Sequence, residues 1–571
     1  MNIKHFSAAP VSLLTKDGRQ LVKLNTVCDT NTHFLLRVFD LTKNGLHCET
    51  EIAVSSGSYA WELLLPTVSA DTQVRWELYS MQGELLYQYE DCWKKPREWT
   101  FYVMISSHTD IGLHNSQYFQ RYTSEKLLDD AAALCDATDD RPEENRYRYT
   151  MEGRWFWENY PADRGSEAAE RMLRDYIRPG KIGLCAGIAG NHTHAFGFEE
   201  MCRSTYGREK LLRDWQVDTR TMAMIDINGM SWAMVSPYVD AGYENIIFAP
   251  NQWNPLPSTV WRCDKTRAGY TFNPDVGGGG SRCDVRWDST LPLLFYWQAA
   301  DNERKMRVWA STQYGWGGHS FGFHANSKND PHTLLCMKEA LASHLPKMEA
   351  DYPYDIWLCA SYEDDQKPTL DQTDLFAAWN EQWEYPKFRT LGDPNVPFDL
   401  VRERFGDQIP TLRGEMTAGW YQHPSAAPQL LADKLEADRR LANAETLASF
   451  AAMHTDYRYP KQDFDRAWEY LLWNDEHSYG VSGYQGRRVY ETWMQHRDWI
   501  EKAAETAETE LHDALAALAS KIPAVEESLV VFNPTARMRD ERITDGESSA
   551  VVREIPPCGY RVVPKSQITP T

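Results

Sequence analysis

The sequence predicts an α/β core set between two β-rich ends, with a helical segment behind the core. Three observations predict it. Short apolar runs, beginning with 99–105, recur through the middle of the chain with helical stretches between them, the pattern of parallel strands buried on both faces. Residues 425–524 drop the short runs and take up long helical periodicity. Residues 1–97 and 525–571 instead carry short runs of β-branched, aromatic and Leu residues broken by Gly, Asn, Asp and Ser.

Each part follows from its own pattern. In 1–97 the runs 20–23, 33–39 and 84–89, with turns at Lys16-Asp17-Gly18 and Lys43-Asn44-Gly45, read as a small β-sandwich module. Lys94-Lys95-Pro96-Arg97 reads as a linker. In 98–424 the runs 99–105, 182–186, 223–225, 246–249, 293–297, 308–310 and 356–360 read as strands, with helices such as 124–136 and 165–176 between them, implying a parallel sheet. Residues 429–453, 461–473 and 496–522 read as a three-helix bundle within 425–524. In 525–571, runs 529–534 and 559–563 read as strands of a short C-terminal β segment.

Composition narrows the function. The 571 residues are 42% hydrophobic, and one core stops growing near ~250–300 residues, so several domains are expected. Against 60 basic residues stand 82 acidic ones, a net charge of −22. Such a chain repels phosphate backbones and anionic lipid, which argues against nucleic-acid and membrane partners. No run reaches the ~18 apolar residues of a membrane span. The opening Met-Asn-Ile-Lys-His-Phe-Ser lacks the apolar region of an export signal. The 11 cysteines are scattered without a C-x-x-C pair, which fits reduced thiols in a cytoplasm. Trp (22) and Tyr (29) are abundant; their faces suit the apolar side of a pyranose and equally suit core packing.

Four motifs carry chemistry. Ser107-His108-Thr109-Asp110 follows the buried run 99–105. Residues two apart in extended chain point the same way, so His108 and Asp110 can share one cation, and that donor mixture suits zinc. Alone, the pair reads more readily as a His–Asp hydrogen bond. Asp226 ends the run 223–225 and precedes Gly229 and Ser231; a carboxylate there needs a metal, a cation or a helix N-terminus. Glu363-Asp364-Asp365 follows 356–360. Neighbouring carboxylates raise one another's pKa, as a general acid requires, though a solvated acidic turn has the same sequence. His477 in Asn474-Asp475-Glu476-His477 ends a bundle helix, where it could also act as a cap.

Taken together and in this order, these motifs resemble glycoside hydrolase family 38, the α-mannosidases, over roughly residues 100–535. The resemblance implies a (β/α)7-type barrel, then a three-helix bundle that contributes a metal ligand. It implies one Zn²⁺ per chain held by His108, Asp110, Asp226 and His477. Asp226 would be the nucleophile and Asp365 or Asp364 the acid/base. Phe295-Tyr296-Trp297 with Asp301, Gly414-Glu415 with Gly419-Trp420, and Val530-Val531-Phe532-Asn533-Pro534 resemble further landmarks of the family. The chain departs from the family at Leu113, at Asn228 and Met230 around Gly229, and at Glu363. The resemblance implies a larger C-terminal β region than the residues after Tyr560 supply, as expected of either a short relative or a truncated chain.

The expected function is therefore a zinc-dependent retaining glycosidase acting on carbohydrate through a glycosyl-enzyme on Asp226. His192, His194, Asn228, Tyr314 and Tyr479 are the candidate substrate contacts. His192-Thr193-His194 also has metal-ligand spacing and rivals the first set. Two alternatives stay open: a zinc-dependent carbohydrate deacetylase and an inactive carbohydrate-binding relative. The sugar, the linkage and homo-oligomerisation stay open as well.

Overall fold

The computed structural model describes residues 3–113, 115–227, 229–249, 292–310, 318, 321–323, 333–416, 427–478, 487–523 and 526–570. The chain divides into two units. The first comprises Met1–Asp110, Tyr118–Gly190 and Thr205–Trp420; the second comprises Ile111–Gln117, Asn191–Ser204 and Tyr421–Thr571.

The first unit opens with seven strands: β1 (Ile3–Thr15), β2 (Arg19–Cys28), β3 (Thr32–Asp40), β4 (Gly45–Val54), β5 (Gly57–Pro66), β6 (Thr72–Ser80) and β7 (Leu85–Trp93). Their alternating side chains put Phe34, Leu36, Val38, Val74, Trp76 and Trp93 into one core, as period-two burial requires. Two antiparallel sheets share that core, ordered β4-β3-β6-β7 and β1-β2-β5. The second sheet is extended by a strand from far along the chain, β16, described below.

The α/β core follows. Its strands are β8 (Thr100–Met104), β9 (Tyr149–Met151), β10 (Ile182–Leu184), β11 (Thr221–Ile225), β12 (Asn245–Ala249), β13 (Leu294–Gln298), β14 (Lys305–Ala310), β15 (Ile356–Ala360), β16 (Trp383–Tyr385), β17 (Lys387–Thr390) and β18 (Thr411–Arg413). Helices of eight or more residues among the described residues here are α1 (Gln117–Asp136), α2 (Tyr206–Trp215), α3 (Leu334–Asp351), α4 (Asp371–Gln382) and α5 (Val396–Phe405). Every residue of β9, β10, β11, β12 and β15 is buried, as two covered faces demand. Sheets β15-β8-β17, β9-β10 and β11-β12-β14 are parallel. Single backbone bonds from Thr150 to Ile105 and from Ala186 to Thr221 continue the array between them.

One strand departs from the expected parallel order. β13 runs antiparallel to β14, pairing Leu294 with Trp309. Residues 299–304 are too short for a crossover, which takes a dozen or more residues, so the pair closes as a hairpin. The segment read as a linker is also held in place. The Arg97 guanidinium donates to the Tyr352 and Tyr354 carbonyls, and Lys94 pairs with Asp71.

In the second unit, α6 (Pro428–His454), α7 (Lys461–Asn474) and α8 (Arg487–Ala519) share a core of Leu441, Phe464, Trp468, Leu471, Ile500 and alanines. Small alanines let the long helices approach closely. The chain then forms β19 (Ser528–Asn533), β20 (Arg539–Asp545), β21 (Ser548–Ile555), β22 (Gly559–Pro564) and β23 (Thr569–Pro570), with β19 antiparallel to β22. No described helix is long and apolar enough to cross a membrane.

Candidate metal centre and active site

Three of the candidate segments follow the carboxyl ends of buried strands, where α/β folds build their sites. After β8, His108 and Asp110 are 1% and 3% exposed. His108 bridges in parallel to Asp364, beyond β15: its amide donates to the Glu363 carbonyl at 3.1 Å, and the Asp365 amide donates back to its carbonyl at 2.9 Å. After β11, Asp226 is buried and its amide donates to Ala249 at 3.0 Å.

Two of these carboxylates sit on left-handed backbone, Asp226 at φ 59° and Asp365 at φ 51°. Outside glycine that region is sparsely used, and it concentrates where a site over-determines the chain. The turn aims Asp226 at His108 rather than at the next helix. The helix-cap alternative is thereby excluded: the turn at Trp232 is entered from Ser231, and the Trp232 amide donates to Glu415 at 2.9 Å.

The ligand atoms converge. His108 Nε2 lies 3.9 Å from Asp110 Oδ1 and 3.8 Å from Asp226 Oδ2. Both exceed a hydrogen bond, yet both fit two ligands of one ion with bonds of ~2.0–2.2 Å. Within the first unit, ligand atoms of His108, Asp110 and Asp226 lie within 4.8 Å of one another, and all three residues are buried. Burial alone would lower the His108 pKa. The nearby carboxylates of Glu152, which accepts from Nδ1, and of Asp226 and Asp110 instead hold it well above its ordinary value. The donor set is thus electronegative, buried and mixed N/O, which fits a divalent cation. His192 is fully buried and precedes a short 3-10 turn, Thr193–Ala195, that contains His194; neither belongs to a metal-ligand group among the described residues.

The surrounding residues orient these groups. Glu152, just past β9, accepts from His108 Nδ1 at 3.1 Å and from the Thr109 amide at 3.1 Å. The Tyr362 hydroxyl donates to its other oxygen at 3.2 Å. Such a carboxylate fixes the imidazole tautomer and leaves Nε2 for a metal. Gln120 on α1 donates to the Asp365 carboxylate at 2.9 Å and to the Asp110 carbonyl at 3.3 Å. His477 Nδ1 meets the Glu476 carboxylate, which also accepts from the Ser478 amide at 2.9 Å. Sequence reading missed Glu152, Gln120 and Glu476. Glu152 follows a buried strand as Asp226 does, but that strand is only three residues long.

Asp364 is exposed and Asp365 half-buried. Asn228, Tyr314 and Tyr479, and the landmarks Gly419 and Trp420, lie outside the described residues.

No family model matches the chain, and no curated protein matches it. Solved structures do. The chain is similar to an alpha-mannosidase from Enterococcus faecalis V583, with TM-score 0.58 and 17% identity, over 78% of this chain and 46% of that one. The fold is family-38-like. A second match, a protein in glycosyl hydrolase family 38 from Enterococcus faecalis, has TM-score 0.50 and 15% identity, over 78% of this chain and 44% of that one. The chain therefore spans less than half the length of either structure. The family-38-like fold begins, in this chain, with the β-strands of 1–97 and continues into the α/β core that holds His108, Asp110 and Asp226.

Proposed function

We propose that this protein is a zinc-dependent retaining glycoside hydrolase with α-mannosidase-like specificity. The observation that carries the reading is the convergence of His108, Asp110 and Asp226 in the first unit on a fold similar to an alpha-mannosidase. Those three residues would hold the ion, with His477 as the fourth ligand that the family resemblance implies. When bound, it would supply a fixed positive charge that anchors sugar hydroxyls and favours a distorted ring.

The rest of the chemistry belongs to the chain. Asp226 attacks the anomeric carbon, forming a glycosyl-enzyme; its left-handed seat aims the carboxylate without a side-chain cap to satisfy. A second carboxyl protonates the departing oxygen and then activates water. Asp364 suits that role better than Asp365. The parallel bridge puts the Asp364 side chain on the same face as His108, and it is open to solvent. Asp365 is occupied by Gln120. His192 and His194 remain the candidate substrate contacts within the described residues, with Asn228, Tyr314 and Tyr479 beyond them.

The test is Asp226→Ala assayed on aryl α-mannosides, with circular dichroism as the control for folding. Turnover should be lost while the spectrum is unchanged; near-normal turnover would sink the assignment. Elemental analysis should find about one zinc per chain. A deacetylase would instead release acetate from acetylated sugar and tolerate loss of the carboxylate nucleophile.

A further inference from the structure

A second cavity, of about 380 Å³, lies in the first unit. Ligand pockets start near ~300 Å³. Part of its wall comes from the starts of strands, where Arg148 immediately precedes β9, Gly180 precedes β10 and Asp218 precedes β11, and part from 389–394 at the end of β17. The candidate active site follows the other ends of β9 and β11. β11 alone puts five residues between the two regions, at least ~16 Å of strand. The cavity is therefore separate from the metal cluster.

Its charges are unevenly committed. Arg389 pairs in register with Tyr102 across β17 and β8, so both side chains share one face, with the guanidinium 5.8 Å from the phenol ring centre. Arg389 Nε is buried with no hydrogen-bond acceptor, and among the described residues no carboxylate lies within ion-pair distance of Arg389. Arg148 is 12% exposed and is held by Glu143, which is itself 64% exposed. Two further carboxylates share the wall with Glu143. Asp218 is taken by Arg208 at 2.9 Å. Asp393 accepts the Asn395 amide at 2.9 Å, and burial works against its charge. Arg389 as a whole is half-buried, so its fork is within reach of a ligand in the cavity, and an oxyanion that accepts from it would satisfy the buried Nε. Glycines 180, 183 and 392 line another part, beside apolar Ile177, Val217 and Leu391. At Gly183 a Cβ would stand 1.8 Å from the Gly392 carbonyl, so this wall stays bare backbone.

We propose that this cavity binds a small phosphate monoester of sugar size. Arg389 and Arg148 grip the phosphate, and the polar backbone wall faces the hydroxylated body. It would be a second, non-catalytic ligand site.

Isothermal titration of the full chain with glucose 6-phosphate tests this, with inorganic phosphate and glucose as comparators. The titrations are repeated in the His108→Ala variant, which removes phosphate binding at the metal cluster. Saturable one-to-one binding that persists in His108→Ala is expected, with glucose inert. Arg389→Gln should weaken it roughly 10- to 100-fold, the worth of a charge-assisted pair of bonds. Should Arg389→Gln misfold, Glu143→Gln reads the site in the opposite direction: it frees Arg148 and should tighten binding several-fold. No saturable binding would overturn the proposal. Equal affinity for glucose would overturn it too. Equal affinity for inorganic phosphate, indifferent to both substitutions, would mean an adventitious ion only and would also overturn it.

Discussion

His108 shows how one residue's environment decides its chemistry. It is enclosed by Glu152, Asp110 and Asp226, so the cluster holds more negative charge than one imidazolium can balance. Glu152→Gln keeps the shape but removes the charge that backs Nδ1. Metal affinity should fall roughly 10- to 100-fold, as for other outer partners of ligating histidines; an unchanged zinc titration would show that Glu152 does not support the site. The two candidate acids separate by the same reasoning. Asp364→Asn should remove most turnover of substrates with poor leaving groups and spare activated aryl glycosides, whereas Asp365→Asn should act mildly through Gln120. The reverse ranking would move the role to Asp365.

A third residue gives a pH signature away from chemistry. His496 on α8 is fully buried, its Nδ1 3.1 Å from the Asn474 carbonyl oxygen, and burial pushes its pKa down from 6.5 to about 3. The unfolded chain takes up this proton near pH 6.5 and the folded chain only near pH 3. Stability is therefore whole above that window and falls as pH drops through it, by ~1.4 kcal/mol per unit. His496→Gln should flatten this part of the urea-denaturation profile, and an unaltered pH slope would contradict it. At this scale His108, Asp110 and Asp226 stood out in the sequence because each follows a long buried strand. Glu152 stayed hidden because β9 is too short to stand out.

Among elements, legibility followed burial. β8, β11 and β15 are continuous apolar runs and were readable as strands. The start of α1 was not: Tyr118, Phe119 and Tyr122 are 80%, 50% and 57% exposed, so apolar residues on the solvent face blur the helical period. The first turns of α8 are hidden likewise, with Tyr490 65% and Met494 41% exposed. The β13–β14 hairpin was missed because an apolar run does not report strand direction. One interaction lay beyond any pattern. Lys434 on α6 is completely buried between Glu200 and Asp475 and also donates to the Ala195 carbonyl at 2.8 Å. Burial pushes the Glu200 carboxyl up to about 8 despite that ammonium. The His192 amide donates to the Asp475 carbonyl at 3.0 Å, so the same lysine braces the turn that presents His477. Lys434→Met strands two buried carboxylates and should cost about 3–5 kcal/mol and weaken zinc binding. Adding Glu200→Gln should recover part of the stability. Unchanged stability and zinc affinity in the single variant would refute the bracing role.

For the molecule as a whole, the N-terminal β module and the α/β core form one unit. β16, a core strand, pairs with β1 through Leu14–Tyr385 and Thr15–Trp383. Lys338 bonds Glu62 at 2.9 Å and Lys16 bonds Glu384 at 2.6 Å. Arg97 caps carbonyls at the end of α3 while lying over Trp99, 5.1 Å from its ring centre. Surface ion pairs add little, so the seam depends on the shared sheet and on Arg97. Removing residues 1–93 would leave β16 an unpaired edge, a template for aggregation. The truncated chain should therefore be poorly soluble rather than a working core. Arg97→Ala is the milder probe. It removes charge-assisted bonds of about 1.5–3 kcal/mol each and should lower the unfolding midpoint of the module and the core together. Hydrogen exchange separates the outcomes. If the module is an integral part of the fold, amides of β1–β2 and of β8 lose protection in parallel in Arg97→Ala; exchange confined to β1–β7, with β8 untouched, would make it an independent appendage.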